Sequence, residues 1–137
     1  MIILDSTFLI DLIRSQNSVK HKRAMAFLDD ILNGEKTVST TFINIYELYK
    51  GAYKTVNTPD SINKINEILK LIVVIDHSDD YYVRFGELSA ELEKRGTPIG
   101  KYDEIVAAIV LQHGAKLVTN NTKDFARIIP RSEIINH

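Results

Sequence analysis

Cysteine is absent from all 137 residues. That absence removes disulfides, thiolate zinc sites and thiol nucleophiles together, and it suits a reducing compartment. An excess of either charge is lacking too. Lys and Arg number 17 and Asp and Glu 18, for a formal net charge of −1. No global positive field therefore draws the chain to nucleic acid or to a membrane surface, and any grip on phosphate has to come from a local basic patch or a bound cation. No apolar run approaches the ~20 residues that a bilayer span needs. The apolar start, MIILDSTFLIDLIR, is interrupted by Asp5 and preceded by no basic segment, unlike a secretion signal. A glycine-rich nucleotide loop is missing. His21, His77, His113 and His137 show no zinc spacing. No repeat, low-complexity stretch or linker divides the chain. The expectation is one domain over residues 1–137, soluble and cytoplasmic.

What is present is a globular composition, 45% hydrophobic and 26% charged. Met1 to Leu4 is a continuous apolar run, as in a strand covered on both faces. Helical spacing follows in Phe8, Leu9, Leu12 and Ile13, and again over Val19 to Leu32, which Asn33-Gly34 ends. Lys36 to Ser39 reads as a short strand. Thr40 or Thr41 caps the next helix, and Thr58-Pro59-Asp60 opens another. Ile72 to Ile75 reads as a second buried strand. Ser78 then caps a long helix that Gly96-Thr97-Pro98 stops near Arg95. Lys101 to His113 forms a helix, Lys116 to Thr119 a strand, Asp124 to Ile128 a short helix, and Ile134-Ile135 an edge strand. Apolar strands alternating with helices give an α/β fold with a mainly parallel sheet covered on both faces.

Several carboxylates stand in places that are costly or chemically suggestive. Asp5 follows the first strand, and in open α/β sheets ligands bind beyond the carboxyl ends of the strands. It is equally placed to cap the following helix. Asp103 leads the stripe Asp103, Val106, Ala107, Val110 on a helix that is apolar almost all round, so burial is expected. A buried carboxylate costs several kcal/mol unless it is paired or binds metal. The competing reading is that Asp103 and Glu104 complement the positive end of the helix dipole. Glu47 lies on a strongly apolar helix, although a solvated glutamate is the usual fate of that residue. Thr119-Asn120-Asn121-Thr122-Lys123-Asp124 follows the last good strand and offers further oxygens, in residue types that also form ordinary turns. Together these groups suit a hard cation, which wants oxygen ligands and keeps several waters. Phosphodiester chemistry on such an ion needs carboxylates converging from different elements. Carboxylates that close would repel one another, so their pKa values should rise.

These segments resemble the PIN-domain family. Asp5-Ser6-Thr7-Phe8-Leu9-Ile10 resembles its opening motif, and Glu47-Leu48 with Gly51 its second. Gly96 through Asp103, followed by Ile105-Val106-Ala107-Ala108, resembles the third, and Leu117 through Phe125 the fourth. The order is preserved over nearly the whole chain, and the similarity is strongest to the VapC-type toxin branch of type II toxin–antitoxin systems. The resemblance implies a Rossmann-like PIN fold and an endoribonuclease that depends on Mg²⁺ or Mn²⁺ and hydrolyses RNA with a metal-activated water. It further implies a homodimer and a small antitoxin that blocks the site. Asp5, Glu47 and Asp103 match the three most regular acidic positions. The fourth is ambiguous, since Asn121 stands where many members carry aspartate; Asp124 is favoured as the fourth acid, acting through water, with Asn121 nearby. On this reading Ser6, Thr7, Thr119 and Asn121 support the ligands from behind.

Lys101, Lys123 and Arg127 lie near the site in sequence and are candidates for RNA contact, as is the cluster Lys20, Lys22, Arg23, although most such residues are merely solvated. The helical spacing of Tyr46, Tyr49, Tyr53, Tyr81 and Tyr82 reads as core or interface packing rather than base stacking. Two rival functions fit parts of the pattern. One is a PIN-like module that binds RNA or protein without cutting. The other is aspartate-based phosphoryl transfer, which shares Asp5 at a strand end. However, a phosphatase pattern expects Asp where Thr7 stands, and a receiver pattern expects adjacent acids and a late lysine that the chain lacks.

Overall fold

The structure is a computed structural model that describes residues 1–15 and 17–137. Strands β1 (Ile2–Leu4), β2 (Val38–Thr41), β3 (Val73–Ile75), β4 (Lys116–Val118) and β5 (Ile134–Ile135) form one parallel sheet in the order β3-β2-β1-β4-β5. The helices are α1 (Ser6–Ile13), α2 (Val19–Leu32), α3 (Phe42–Ala52), α4 (Thr58–Leu69), α5 (Asp80–Lys94), α6 (Lys101–His113) and the short α7 (Thr122–Phe125), with a 3₁₀ turn at Arg131–Glu133. The order reverses between β1 and β4, and there a parallel open sheet leaves a crevice beyond its carboxyl edge.

Alternation along the central strands divides the core in two. Ile2 and Leu4 face one layer with Phe8, Leu12, Leu28, Leu48 and Ile65. Ile3 faces the other with Val106, Ile109, Leu117 and Phe125. The period of two in β1 thus assigns α1, α2 and α4 to one face, and α5, α6 and α7 to the other. Helix α3 spans the rim, with Leu48 and Ala52 in the first layer and Ile43 in the second. Strand β2 is buried although three of its residues are polar. Ser39 Oγ donates to the Ile2 carbonyl (3.1 Å) and Thr40 Oγ1 to the Leu4 carbonyl (2.7 Å), so these hydroxyls are hydrogen-bonded within the sheet.

Three expectations are corrected, and the first is the short helix expected over Asp124 to Ile128, which is α7 at Thr122–Phe125 followed by turns. The run Ile72 to Ile75 is not a strand buried on both faces: β3 is an edge, with Val73 53% and Val74 40% exposed. The strand expected at Lys36 to Ser39 runs instead from Val38 to Thr41, because it pairs in register with Ile2 and Ile3 at Val38 and Ser39. Helices α2 and α6 have the expected bounds.

Candidate active site

Asp5 occupies the N-cap position of α1, yet its side chain accepts no cap hydrogen bond from the helix. It is 1% exposed and points into the crevice between elements. Asn44 Nδ2 donates to Asp5 Oδ1 (2.9 Å), while Thr119 Oγ1 (2.7 Å) and Thr7 Oγ1 (3.1 Å) donate to Oδ2. The orientation of Asn44 is itself set locally. Thr41 caps α3 by accepting from the Asn44 backbone N–H (3.2 Å), and its own hydroxyl donates to Asn44 Oδ1 (2.7 Å), which turns the amide NH₂ toward Asp5. Thr119, one residue past β4, accepts from the backbone N–H of Asn121 (3.0 Å), and Thr7 accepts from that of Asn120 (3.0 Å). The loop after β4 is therefore tied to the start of α1 through Asp5.

Glu47 projects from the middle of α3 and is half-buried, with Ser6 Oγ donating to its Oε1 (3.2 Å). Burial raises its pKa, the charge of Asp5 raises it further, and Ser6 and Lys50 pull it down. Asp103, in the first turn of α6, receives one long hydrogen bond from Asn121 Nδ2 (3.3 Å). Its pKa is pushed up to about 6, first by burial and then by the charges of Asp5, Glu47 and Asp124, against the small opposing effect of Asn121. Like charges raise a carboxyl pKa only at short range, so the four acids expected from the sequence share one electrostatic environment. Asp124 stands on α7 with Arg127 Nη2 at 3.9 Å from its carboxylate. Asn121 reaches Asp103, and Asp124 feels it only through charge.

Asp103 is not the buried acid that the α6 stripe predicts. It is only partly buried at the cleft, and Glu104 is the α6 carboxylate at 4% exposure. Ser89 Oγ on α5 donates to Glu104 Oε1 (2.6 Å), and the backbone N–H groups of Ile99 (3.0 Å) and Gly100 (3.1 Å) donate to Oε2. Gly100 holds φ at 109°, a conformation in which a side chain would be strained. Glu104 thus fixes the entry to α6 and, with it, the position of Asp103. The sequence assigns Glu104 no more than a complement to the helix dipole and does not single out Asn44. The available signal for Asn44 was a lone amide three residues after a capping threonine, on an otherwise apolar helix.

The basic candidates separate. Lys101 and Lys123 are exposed at the starts of α6 and α7. Arg127 donates to the Pro98 carbonyl (3.3 Å) and approaches Asp124, so its guanidinium is partly committed. Lys20, Lys22 and Arg23 are exposed on α2.

The donor set suits a hard divalent cation: several carboxylates, an amide and hydroxyls, with neither sulfur nor imidazole among them. Among the described residues no three acids or histidines close on a common point as a ready-made cage. Mutual repulsion opposes such closure, and a cation that keeps several waters does not need it.

The PIN domain profile matches residues 2–129. Ribonuclease VapC2 of Haemophilus influenzae is 35% identical over 96 residues, 70% of this chain and 71% of that protein. The tRNA(fMet)-specific endonuclease VapC of Salmonella typhimurium is 31% identical over 86 residues, 63% of this chain and 65% of its own length. Among solved structures, VapBC2 from Rickettsia felis bound to a DNA fragment from their promoter gives a TM-score of 0.81 at 28% identity, covering 100% of this chain and 99% of that one. VapBC-1 from nontypeable Haemophilus influenzae gives 0.77 at 27%, covering 100% and 97%.

Proposed function

The chain belongs to the PIN-domain family, in its VapC ribonuclease branch, and on that premise we propose that it is a Mg²⁺- or Mn²⁺-dependent endoribonuclease, the toxin of a type II toxin–antitoxin pair in the cytoplasm. The observation that carries this reading is the gathering of Asp5, Glu47, Asp103 and Asp124 at the switch point of the sheet, where burial first and the charges of the other three acids second raise the Asp103 pKa to about 6. Uncompensated like charges are costly, and a divalent cation is the natural compensation.

In this reading Asp5 and Asp103 hold the cation, and Glu47 holds it or orients a water beside it, with Asp124 reaching it through water. When bound, the cation neutralises charge on the scissile phosphate and lowers the pKa of a water. The protein's own contribution is positioning. Asn44, Thr7 and Thr119 fix both oxygens of Asp5, and Oδ1, which accepts from Asn44 alone, keeps acceptor capacity for a ligand. Ser6 holds Glu47 where it can align a water for in-line attack and take up its proton. Asn121 steadies Asp103. Lys101, Lys123 and Arg127 contact the substrate backbone from the rim. The products carry a 5′-phosphate and a 3′-hydroxyl.

The partners are an RNA substrate, a cognate antitoxin that occludes the cleft, and a second copy of the chain. The VapBC complexes among the solved structures support the antitoxin. Aspartyl-phosphate chemistry fits poorly, because Thr7 stands where a phosphatase pattern places its second acid. The test is cleavage of single-stranded RNA by the purified chain with Mn²⁺ or with EDTA, beside Asp5→Asn. Cation-dependent cutting that the variant loses is expected. Equal cutting by both proteins, once contaminating nuclease is removed, would sink the assignment.

A further inference from the structure

Glu47 also lines a second feature, an open groove of about 950 Å³ between α1, α3 and the start of α6. Ile10, Ile13 and Ile43 form its apolar surface, and Gly51 keeps it open where a Cβ would meet only Ile10 at 3.5 Å. The rest of the lining is unusual for this chain. Tyr46 and Tyr102 both border the groove and are 74% and 62% exposed. They immediately precede the acids Glu47 and Asp103 in sequence, and both tyrosines line the groove together with Glu47. Helical spacing predicts Tyr46 as core or interface packing, and its exposure removes the core half of that expectation.

Charge is concentrated there as well. Arg14, Lys50 and Lys54 line the groove against the one carboxylate of Glu47. Arg14 is engaged by Asp11 at 2.7 Å, whereas among the described residues Lys50 and Lys54 make no salt bridge. A protein of net charge −1 with an acidic cleft has no general means of drawing in a polyanion. A groove with two lysines outside any salt bridge among the described residues, two exposed tyrosines and direct continuity with the cleft supplies one.

We propose that this groove binds the single-stranded RNA flanking the scissile phosphate, with Tyr46 and Tyr102 stacking on bases and Lys50 and Lys54 facing phosphates. Aromatic platforms beside a basic track are the usual means of holding single strands without reading duplex grooves. The inference rests on the ribonuclease reading for its location but not for its binding signal.

The test uses the full chain and a fluorescently labelled single-stranded RNA 12-mer in two arms. In the cleavage arm, with Mn²⁺, Tyr46→Ala and Tyr102→Ala are each expected to raise KM at least about fivefold, with kcat within about twofold, and Tyr46→Phe to keep the wild-type KM. In the binding arm, with EDTA, Lys50→Ala combined with Lys54→Ala is expected to flatten the slope of log K against log salt by about 1.4, two phosphates at about 0.7 each. Thermal melting confirms that these surface variants fold. Wild-type KM in both alanine variants with an unchanged salt slope overturns the proposal and leaves the groove to a peptide segment of a protein partner. Absence of cleavage by the wild type, with binding still sensitive to the tyrosines and lysines, defeats the nuclease reading while supporting the groove.

Discussion

The first turn of α6 presents two carboxylates to two different regions, and their surroundings are opposite. Glu104 faces α5, where one hydroxyl and two backbone N–H groups take up its oxygens. Asp103 faces the cleft, where one long amide contact is set against three other acids. Neighbours in sequence, on one helix end with one dipole, they differ in whether the fold compensates their charge. Burial alone would select Glu104 as the unusual group. Uncompensated charge selects Asp103. The contrast teaches that, between these two neighbours, the acid with spare capacity for a ligand is the one whose charge the fold leaves uncompensated.

The sharpest way to break the contrast is to neutralise each side. Asp103→Asn should lower cleavage at least about a hundredfold while leaving the metal-free protein as stable as wild type or more so, since it removes repulsion. RNA cleavage and urea unfolding of the one variant measure both. Glu104→Ala should do the reverse in kind. It removes the acceptor of two part-buried N–H groups and of the Ser89 hydroxyl, and should cost about 1–3 kcal/mol in urea unfolding. If both variants lost only activity, or both only stability, the distinction between the two regions would fail.

A finer test uses pH. The Asp103 pKa is about 6 in the fold against an ordinary 3.8. Between those values the folded state keeps a proton that the unfolded chain has lost. Native stability from this group therefore falls as pH rises across that window, and the full cost is present above about 6. A bound cation removes that cost, so Mn²⁺ should raise the melting temperature more at pH 7.5 than at pH 5. Asp103→Asn should shrink the difference between the two pH values. An equal Mn²⁺ shift at both would contradict the direction.

How much of this was legible beforehand depends on the range of the interaction involved. Helices α2 and α6 were readable because periodicity and terminal Asn33 and Gly114 are local. Strand β3 was misjudged because Val73 and Val74 are as apolar as a buried strand, and only the sheet order makes them an edge. Asp5 was recognisable as the residue after a strand. Its fixing by Asn44 was not, because that bond joins residues 39 apart. Asp103 was overrated in burial and Glu104 underrated for one reason. The inward arc of α6 takes in Glu104 and Val106 through Val110, and which side of an all-apolar helix carries its one tolerated acid is decided by the donors around it.

The hydrogen bond from Thr119 to Asp5 spans 114 positions. During synthesis the first acid of the cleft leaves the ribosome early, and the hydroxyl that steadies it follows only after β4 has been made. Helices such as α1 and α2 form on local information, but this contact waits for the last quarter of the chain and for the closure of a very long loop. On the nuclease reading, a truncated or still-growing chain would lack a complete cutting centre. A cell that makes such a protein is then exposed to it only once each molecule is finished, which leaves an interval in which a partner made alongside can be waiting.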